Sequence, residues 1–224
     1  MSAIDIFFNV DILWKAFPLL LKGLMNTILL GITAIVFGTS IGILICLARL
    51  YAPRPIRLLA VLYIDLLRAM PVLVVLILIY YALPFVGIVF SSFTAAAIAL
   101  SIVLGAYSAE VVRAGIQAVP QGQFEASSAL GLHFWLTMRK VILPQAIRIV
   151  IPPQASNCVS IIKDTSLASV VATTDLLKQA TDAQALFANP TPLLGAAIIY
   201  IAILWPLVRL TSWLERHYQK AYSR

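Results

Sequence analysis

The sequence predicts an all-α membrane protein with five transmembrane helices. Three observations predict it. Of 224 residues, 62% are hydrophobic and only 11% are charged, against roughly 25% charged in a soluble domain; such a chain lacks the polar surface that water requires. Its uncharged runs reach the ~20 residues a helix needs to cross the hydrocarbon core. Most of its basic residues, eleven of 16, fall on one side once those runs are numbered as crossings, in line with the bias of Lys and Arg toward cytoplasmic loops.

The crossings follow in order. Gly23 to Ala48 carries no charge, which gives a first span at roughly residues 24–47. Ala69 to Ala109 is also uncharged and too long for one passage. Pro84 and Gly87, followed by Ser91 and Ser92, divide it into spans at about 60–83 and about 94–112. A fourth span begins after Pro144, a residue suited to a first helical turn, and covers about 144–162. A fifth covers about 192–211. The whole chain reads as a single transmembrane domain, with one long polar loop at about 113–143. "TAAAIAL" from Thr94 reads as a closely packed face of small residues. Pro71, after Arg68 and Met70, marks a place where the second span can bend.

Arg49, Arg54 and Arg57 follow the first span; Arg113, Arg139, Lys140 and Arg148 surround the long loop; Arg209, Arg216, Lys220 and Arg224 close the chain. All share one side under five crossings. The other side holds Lys15, Lys22, Lys163 and Lys178 among Asp5, Asp11, Asp164, Asp175 and Asp182. The amino terminus is therefore expected outside, and the long loop and carboxyl terminus inside. With Asp5 and Asp11 where a signal needs Lys or Arg, "MSAIDIFFNVDILWK" is not expected to be a signal peptide.

The net charge of +7 has this topological cause and does not imply nucleic acid, because the basic residues are not interleaved with aromatics on one polar face. Cys46 and Cys158 lie in apolar runs and read as buried thiols. His133 and His217 have no second ligand at metal spacing, and no nucleophile–base pair is visible, so neither a metal site nor an intramembrane enzyme is expected.

The long loop contains "GQFEASSALGLHFWLTMRKVILP", Gly122 to Pro144. Pro120 can open a helix and Gly131 can close it. Glu125 lies near the amino end, where the macrodipole favours negative charge. Ala126, Ser127, Ser128 and Ala129 leave a thin face that lets another backbone come close. Phe134, Met138 and Val141 share helical spacing in a second, amphipathic piece, and Leu143-Pro144 re-enters the bilayer. This is a stiff helical knob.

Glu125-Ala126, Gly131 and Val141–Pro144 resemble the EAA loop of permeases of binding-protein-dependent ABC importers, with Ser127 in place of the second alanine and Val141 in place of isoleucine. "RAMPVLV" (Arg68–Val74), "AYSAEVVRAGIQAVPQGQFEASSALGL" (Ala106–Leu132), "KDTSLASV" (Lys163–Val170) and "LLKGLMNTILL" resemble the subfamily that takes up polar amino acids. The resemblance implies the type I importer permease fold and placement in the bacterial cytoplasmic membrane. It implies that Glu125, Ala126, Ser127, Ala129, Gly131, Leu143 and Pro144 couple to a cytoplasmic ATP-binding subunit, present in two copies. It also implies a second permease copy or paralogue and an extracytoplasmic amino-acid-binding protein. The chain has no G-x-x-x-x-G-K-[ST] phosphate loop, so ATP and Mg are expected on the partner and no cofactor here. The cargo class implied is glutamate, glutamine, aspartate, histidine or arginine.

A zwitterion crossing the bilayer needs polar partners within it. Asn157 and Asp164 are seven apart, on one face of a continuing helix. Lys163 suits a carboxylate, Asp164 an ammonium, and Thr165 adds a hydroxyl. Arg68, before the Met70-Pro71 break, is a further path candidate. Asp164-Thr165-Ser166 reads equally as a cap on an outer helix near "SVVATTDLLKQA". Asp65–Arg68 and Glu110–Arg113 have the spacing of paired charges. A passive channel or a membrane scaffold, using the loop only for assembly, is the alternative function.

Overall fold

A computed structural model of the chain describes residues 7–220; Asp5 and Arg224 lie outside the described residues. The described residues are helical almost throughout. Helix α1 (Val10–Tyr51) has 42 residues, about 60 Å at 1.5 Å per residue. It starts well before the expected crossing because Asn9 caps it, its Oδ1 accepting the Ile12 N–H at 3.1 Å; Pro18 is carried inside the helix.

The second crossing is not one straight helix. Helix α2 (Arg54–Ala69) stops, and Pro71, with extended ψ, caps the short α3 (Val72–Ile77). Proline disfavours helical backbone at the residue before it, here Met70. A π turn (Leu78–Ala82) and a 3-10 turn (Leu83–Val86) follow, closed by Gly87 at φ 83°. Ser91 then caps α4 (Ser92–Gln117), its Oγ accepting the Thr94 N–H at 3.2 Å. Ala95, Ala96 and Ala99 on α4 are fully buried, the close-packed face expected of "TAAAIAL".

The loop helix α5 (Gln121–Ala129) is followed by α6 (Phe134–Thr137), a π turn (Met138–Ile142) and α7 (Leu143–Asp164). Pro144 therefore does not open a separate helix: it sits in a helical run that begins at Phe134. Both π turns share a local cause. Leu83 and Leu143 each donate their N–H five residues back, to the carbonyls of Leu78 and Met138, and each is followed by proline. Proline has no N–H and its ring collides with the carbonyl four residues earlier; the wider turn accommodates both defects. A 3-10 stretch (Thr165–Val171), α8 (Leu176–Phe187) and α9 (Thr191–Lys220) complete the chain.

Among the described residues three helices are long and apolar enough to cross a membrane: Val10–Tyr51, Ser92–Gln117 and Thr191–Tyr218. The count rises to four if α2 and the segment through Val86 form one bent crossing. Helix α7 is not among them, since Gln145, Arg148, Gln154 and Asn157 dilute its apolar character.

Contacts divide the chain into two units. The first comprises Met1–Val36, Met70–Ser101 and Val159–Leu207, with a core of Leu20, Leu176, Ala180 and Ala196. Asp175 is fully buried there and caps α8, accepting the N–H groups of Lys178 at 3.1 Å and Leu177 at 3.3 Å. Burial pushes its carboxyl up to about 6, against these hydrogen bonds, which act in the opposite direction. A carboxyl held above its ordinary value favours the folded state when protonated. The contribution is complete below about pH 4 and lost as pH rises through about 6. The permease is therefore expected to be more stable near pH 5 than near pH 7.5, by about 1.4 kcal/mol at most from this group, and so to melt higher there. Asp175→Asn, which keeps a capping oxygen without the charge, should raise the pH 7.5 melting temperature and flatten that dependence. A lower melting temperature for the variant would show that the charged cap outweighs its burial.

The second unit comprises Phe37–Ala69, Ile102–Cys158 and Val208–Arg224. Its core gathers Cys46, Ile64, Ala109, Ile116, Val119, Met138, Ile142 and Ala146. Both ends of the long loop are rooted in that core. Both cysteines are free, Cys46 buried and Cys158 half-buried.

Candidate functional site

The long loop is built as a short, closed helix on a packed base. Pro120 precedes α5 with extended backbone. At the other end Gly131, at φ 70°, donates to the Ser128 carbonyl at 3.0 Å, and Leu132 donates to the Ser127 carbonyl at 3.1 Å. This is a Schellman closure, which needs a left-handed residue just past the helix. Phe124 packs on the unit's core, and Gln145 Nε2 donates to Gln123 Oε1 at 3.3 Å. The helix is thereby held on one side and open on the other.

The open side carries Glu125, Ala126, Ser128, Ala129 and Leu130, all exposed. Glu125 makes no ion pair among the described residues. Ser127 departs from the expectation of a partner-facing residue: it is buried, and its Oγ donates to the Gln123 carbonyl at 2.7 Å. Helical periodicity turns it inward beside Phe124. Leu143 and Pro144 are exposed but lie in the continuous helix beyond the π turn. The expected second amphipathic piece forms as α6 and the π turn that continues it, with His133 Nδ1 accepting the Leu136 N–H at 3.4 Å at its start.

Beneath the loop lies an ionic knot. Arg49 NH1 donates to Glu110 Oε2 at 2.6 Å, Arg113 Nε donates to the same oxygen at 3.1 Å, and Arg113 also reaches Glu110 Oε1 and Gln117. The Glu110–Arg113 pair was readable from spacing; Arg49, 61 residues away, was not. The Asp65–Arg68 pair does not form among the described residues. Arg68 instead lies over the Tyr107 ring, 5.7 Å from its centroid, a cation–π contact.

The path candidates do not share one unit. Asn157 and Arg68 belong to the second; Lys163, Asp164 and Thr165 belong to the first. Asn157 Nδ2 is buried with no protein partner among the described residues. One turn earlier, Gln154 Nε2 donates to Ser108 Oγ at 2.9 Å and Thr39 Oγ1 at 3.2 Å. Lys163 is exposed and Asp164 half-buried. Thr165 is fully buried and its hydroxyl donates to the Ile162 carbonyl at 2.7 Å, so it is already committed to the backbone. Asp164 makes no capping hydrogen bond; the cap on the outer helix is Asp175. Its signal was available: an Asp immediately before an apolar helical run.

Over residues 38–223 the chain matches the family described as binding-protein-dependent transport system inner membrane component, and it belongs to that family. It is 39% identical over 216 residues to the probable amino-acid ABC transporter permease protein YckA of Bacillus subtilis (strain 168), covering 96% of this chain and 94% of the relative. It is 36% identical to the L-cystine transport system permease protein TcyB of the same organism, covering 96% and 91%. A solved structure described as an amino acid ABC transporter with histidines superposes with a TM-score of 0.86 at 37% identity, over 92% of this chain and 96% of the other. The fold is that of a type I ABC permease. The chain is a transport subunit and not an enzyme. The methionine transporter MetNI, at 18% identity and a TM-score of 0.66, shares the fold.

Proposed function

We propose that the chain is the permease subunit of an ATP-driven amino acid importer in a bacterial cytoplasmic membrane, with five crossings, the amino terminus outside and the loop and carboxyl terminus inside. The observation that carries the reading is α5: a nine-residue helix with a thin exposed face, closed by Gly131 and seated on a packed base. Such a knob transmits force only if a partner grips it. The partner is a cytoplasmic ATP-binding subunit, which holds ATP and Mg, in two copies beside a second permease copy or paralogue. An extracytoplasmic binding protein delivers the cargo. The basic residues around the loop support the sidedness, and the named relatives support amino acids as cargo, within the glutamate, glutamine, aspartate, histidine or arginine class that the sequence motifs suggest. The test is co-purification with an ATPase whose hydrolysis rises when the loaded binding protein is added. Solute movement without any hydrolase present would defeat the reading and favour a passive channel.

Asp164 is the group we assign to the cargo ammonium and Lys163 to its carboxylate, both in the first unit; Asn157 and Arg68 are the polar candidates of the second. Thr165 serves the backbone. Asp164→Asn is expected to reduce uptake by about tenfold or more, as loss of one charge-assisted contact does, with assembly and basal hydrolysis unchanged. Uptake at parental affinity would remove Asp164 from the path.

A further inference from the structure

A cavity of about 420 Å³ in the second unit is lined by Arg148, Ile149, Pro152, Pro153, Glu215 and Tyr218, with Ala118 at the end of α4 as a further wall. That volume is in the range of small-molecule sites. Its lining is mostly apolar, with one basic and one acidic side chain, Arg148 and Glu215, at its wall. Pro152 and Pro153 lie inside α7 and have no N–H, so the carbonyls of Arg148 and Ile149 lose their helical donors. Glu215, on α9, adds a carboxylate. Two helices thus bring acceptor groups to the residues that line this cavity. Arg148 supplies a guanidinium, which matches a carboxylate in a two-point geometry. Among the described residues Arg148 and Glu215 form no ion pair, with each other or elsewhere. The remaining lining is proline rings, isoleucine, alanine and a tyrosine ring, which suit an aliphatic side chain.

We propose that this cavity is a second amino acid site, distinct from the Asp164 region, which takes a free zwitterion from the compartment that the coupling loop faces. The ammonium meets Glu215 and the two released carbonyls, the carboxylate meets Arg148, and the side chain lies on the Pro152–Pro153 surface. The choice of an amino acid as ligand rests on the importer reading. The site gives that compartment a means of acting on the permease as imported amino acid accumulates.

The experiment uses the complete permease–ATPase complex in nanodiscs, without binding protein, and reads its melting temperature against L-leucine and L-glutamine in the millimolar range. Both are expected to raise it saturably. N-acetyl-L-leucine, which lacks the ammonium, and L-leucinamide, which lacks the carboxylate, are not. Arg148→Gln and Glu215→Gln should each weaken the response by about tenfold or more, Arg148→Lys should restore part of it, and Ala118→Phe should abolish it by filling the cavity. Uptake at low cargo should persist in all four. Blocked analogues acting as well as the free amino acids, or a response untouched by Arg148→Gln, Glu215→Gln and Ala118→Phe, overturns the site. A response lost in Asp164→Asn but kept in the cavity variants also overturns it, by placing the ligand at the other end of α7. Binding-protein-dependent uptake, measured in parallel, reports separately on the importer reading.

Discussion

Ala126→Trp is expected to abolish binding-protein-dependent uptake while leaving a folded permease. Ala126 is exposed on the open side of α5, and the core contacts of that helix run through Phe124 and Ser127 on its other side. A large side chain at residue 126 therefore disturbs nothing within the chain, but it holds a docking partner several ångströms away. Misplacement of that order is enough to disconnect a close-packed joint, since interiors and interfaces tolerate little added volume. Uptake should fall to background, and the hydrolysis stimulated by loaded binding protein should fall with it or run free of transport. Melting temperature should move by no more than about 0.5 kcal/mol equivalent, as for an ordinary surface change. Unchanged uptake would detach α5 from the coupling role. Gly131 works differently. A Cβ there meets nothing within 4 Å, so Gly131→Ala adds no clash. It acts through the positive φ, at a cost of roughly 1–2 kcal/mol, and should loosen the helix end and weaken coupling partially.

Gly42→Val is expected to prevent accumulation of folded permease altogether. A Cβ at Gly42 would lie 2.4 Å from Ser108 Cβ, 2.9 Å from the Gly105 carbonyl oxygen and 3.0 Å from the Ala109 nitrogen. Two of these neighbours are backbone, and Ser108 is fully buried, so none can swing aside. Relief requires α1 and α4 to separate. That would also strain the Gln154 hydrogen bonds to Thr39 and Ser108 and the Arg49–Glu110 pair. Overpacking of this kind costs several kcal/mol, a large part of a domain's stability of about 5–15 kcal/mol. Helix association in a bilayer depends on such close approach, because lipid gives no hydrophobic drive for helices to pair. The measurement is the yield of monodisperse detergent-extracted protein; a parental yield would refute the packing argument. Gly115 is the contrast. A Cβ there meets Val150 Cγ2 at 2.3 Å and the Ala146 carbonyl at 3.3 Å; the closest contact is one side chain, stiff at χ1, and no backbone atom lies under 3 Å, so Gly115→Ala should be milder.

Much of the loop was legible because its signals are local. Pro120 before α5 and Gly131 after it stop a helix by their own backbone chemistry, and Glu125 and Ala126 are placed by periodicity alone. Ser127 was misread because which side of a nine-residue helix is buried depends on what lies beneath it. The fourth crossing was read as starting at Pro144 because proline often opens helices; the π turn lets this one sit inside a run instead. Asp164 continues a helical run and makes no cap, whereas Asp175 has extended backbone and accepts the Leu177 and Lys178 N–H groups.

The amino-acid sequence by itself determined the apolar, helical class of this protein and the polar loop with its stops. These follow from composition and from residues acting on their own backbone. Tertiary structure alone decided that Arg49 joins the Glu110–Arg113 pair, that Arg68 turns to Tyr107 and not to Asp65, that Gly42 is a contact point, and that Pro152–Pro153, Arg148 and Glu215 line one cavity. Each of these joins residues distant in the chain, and the partner of a charge or a glycine is set by which helices approach one another, a matter of packing that local patterns do not encode.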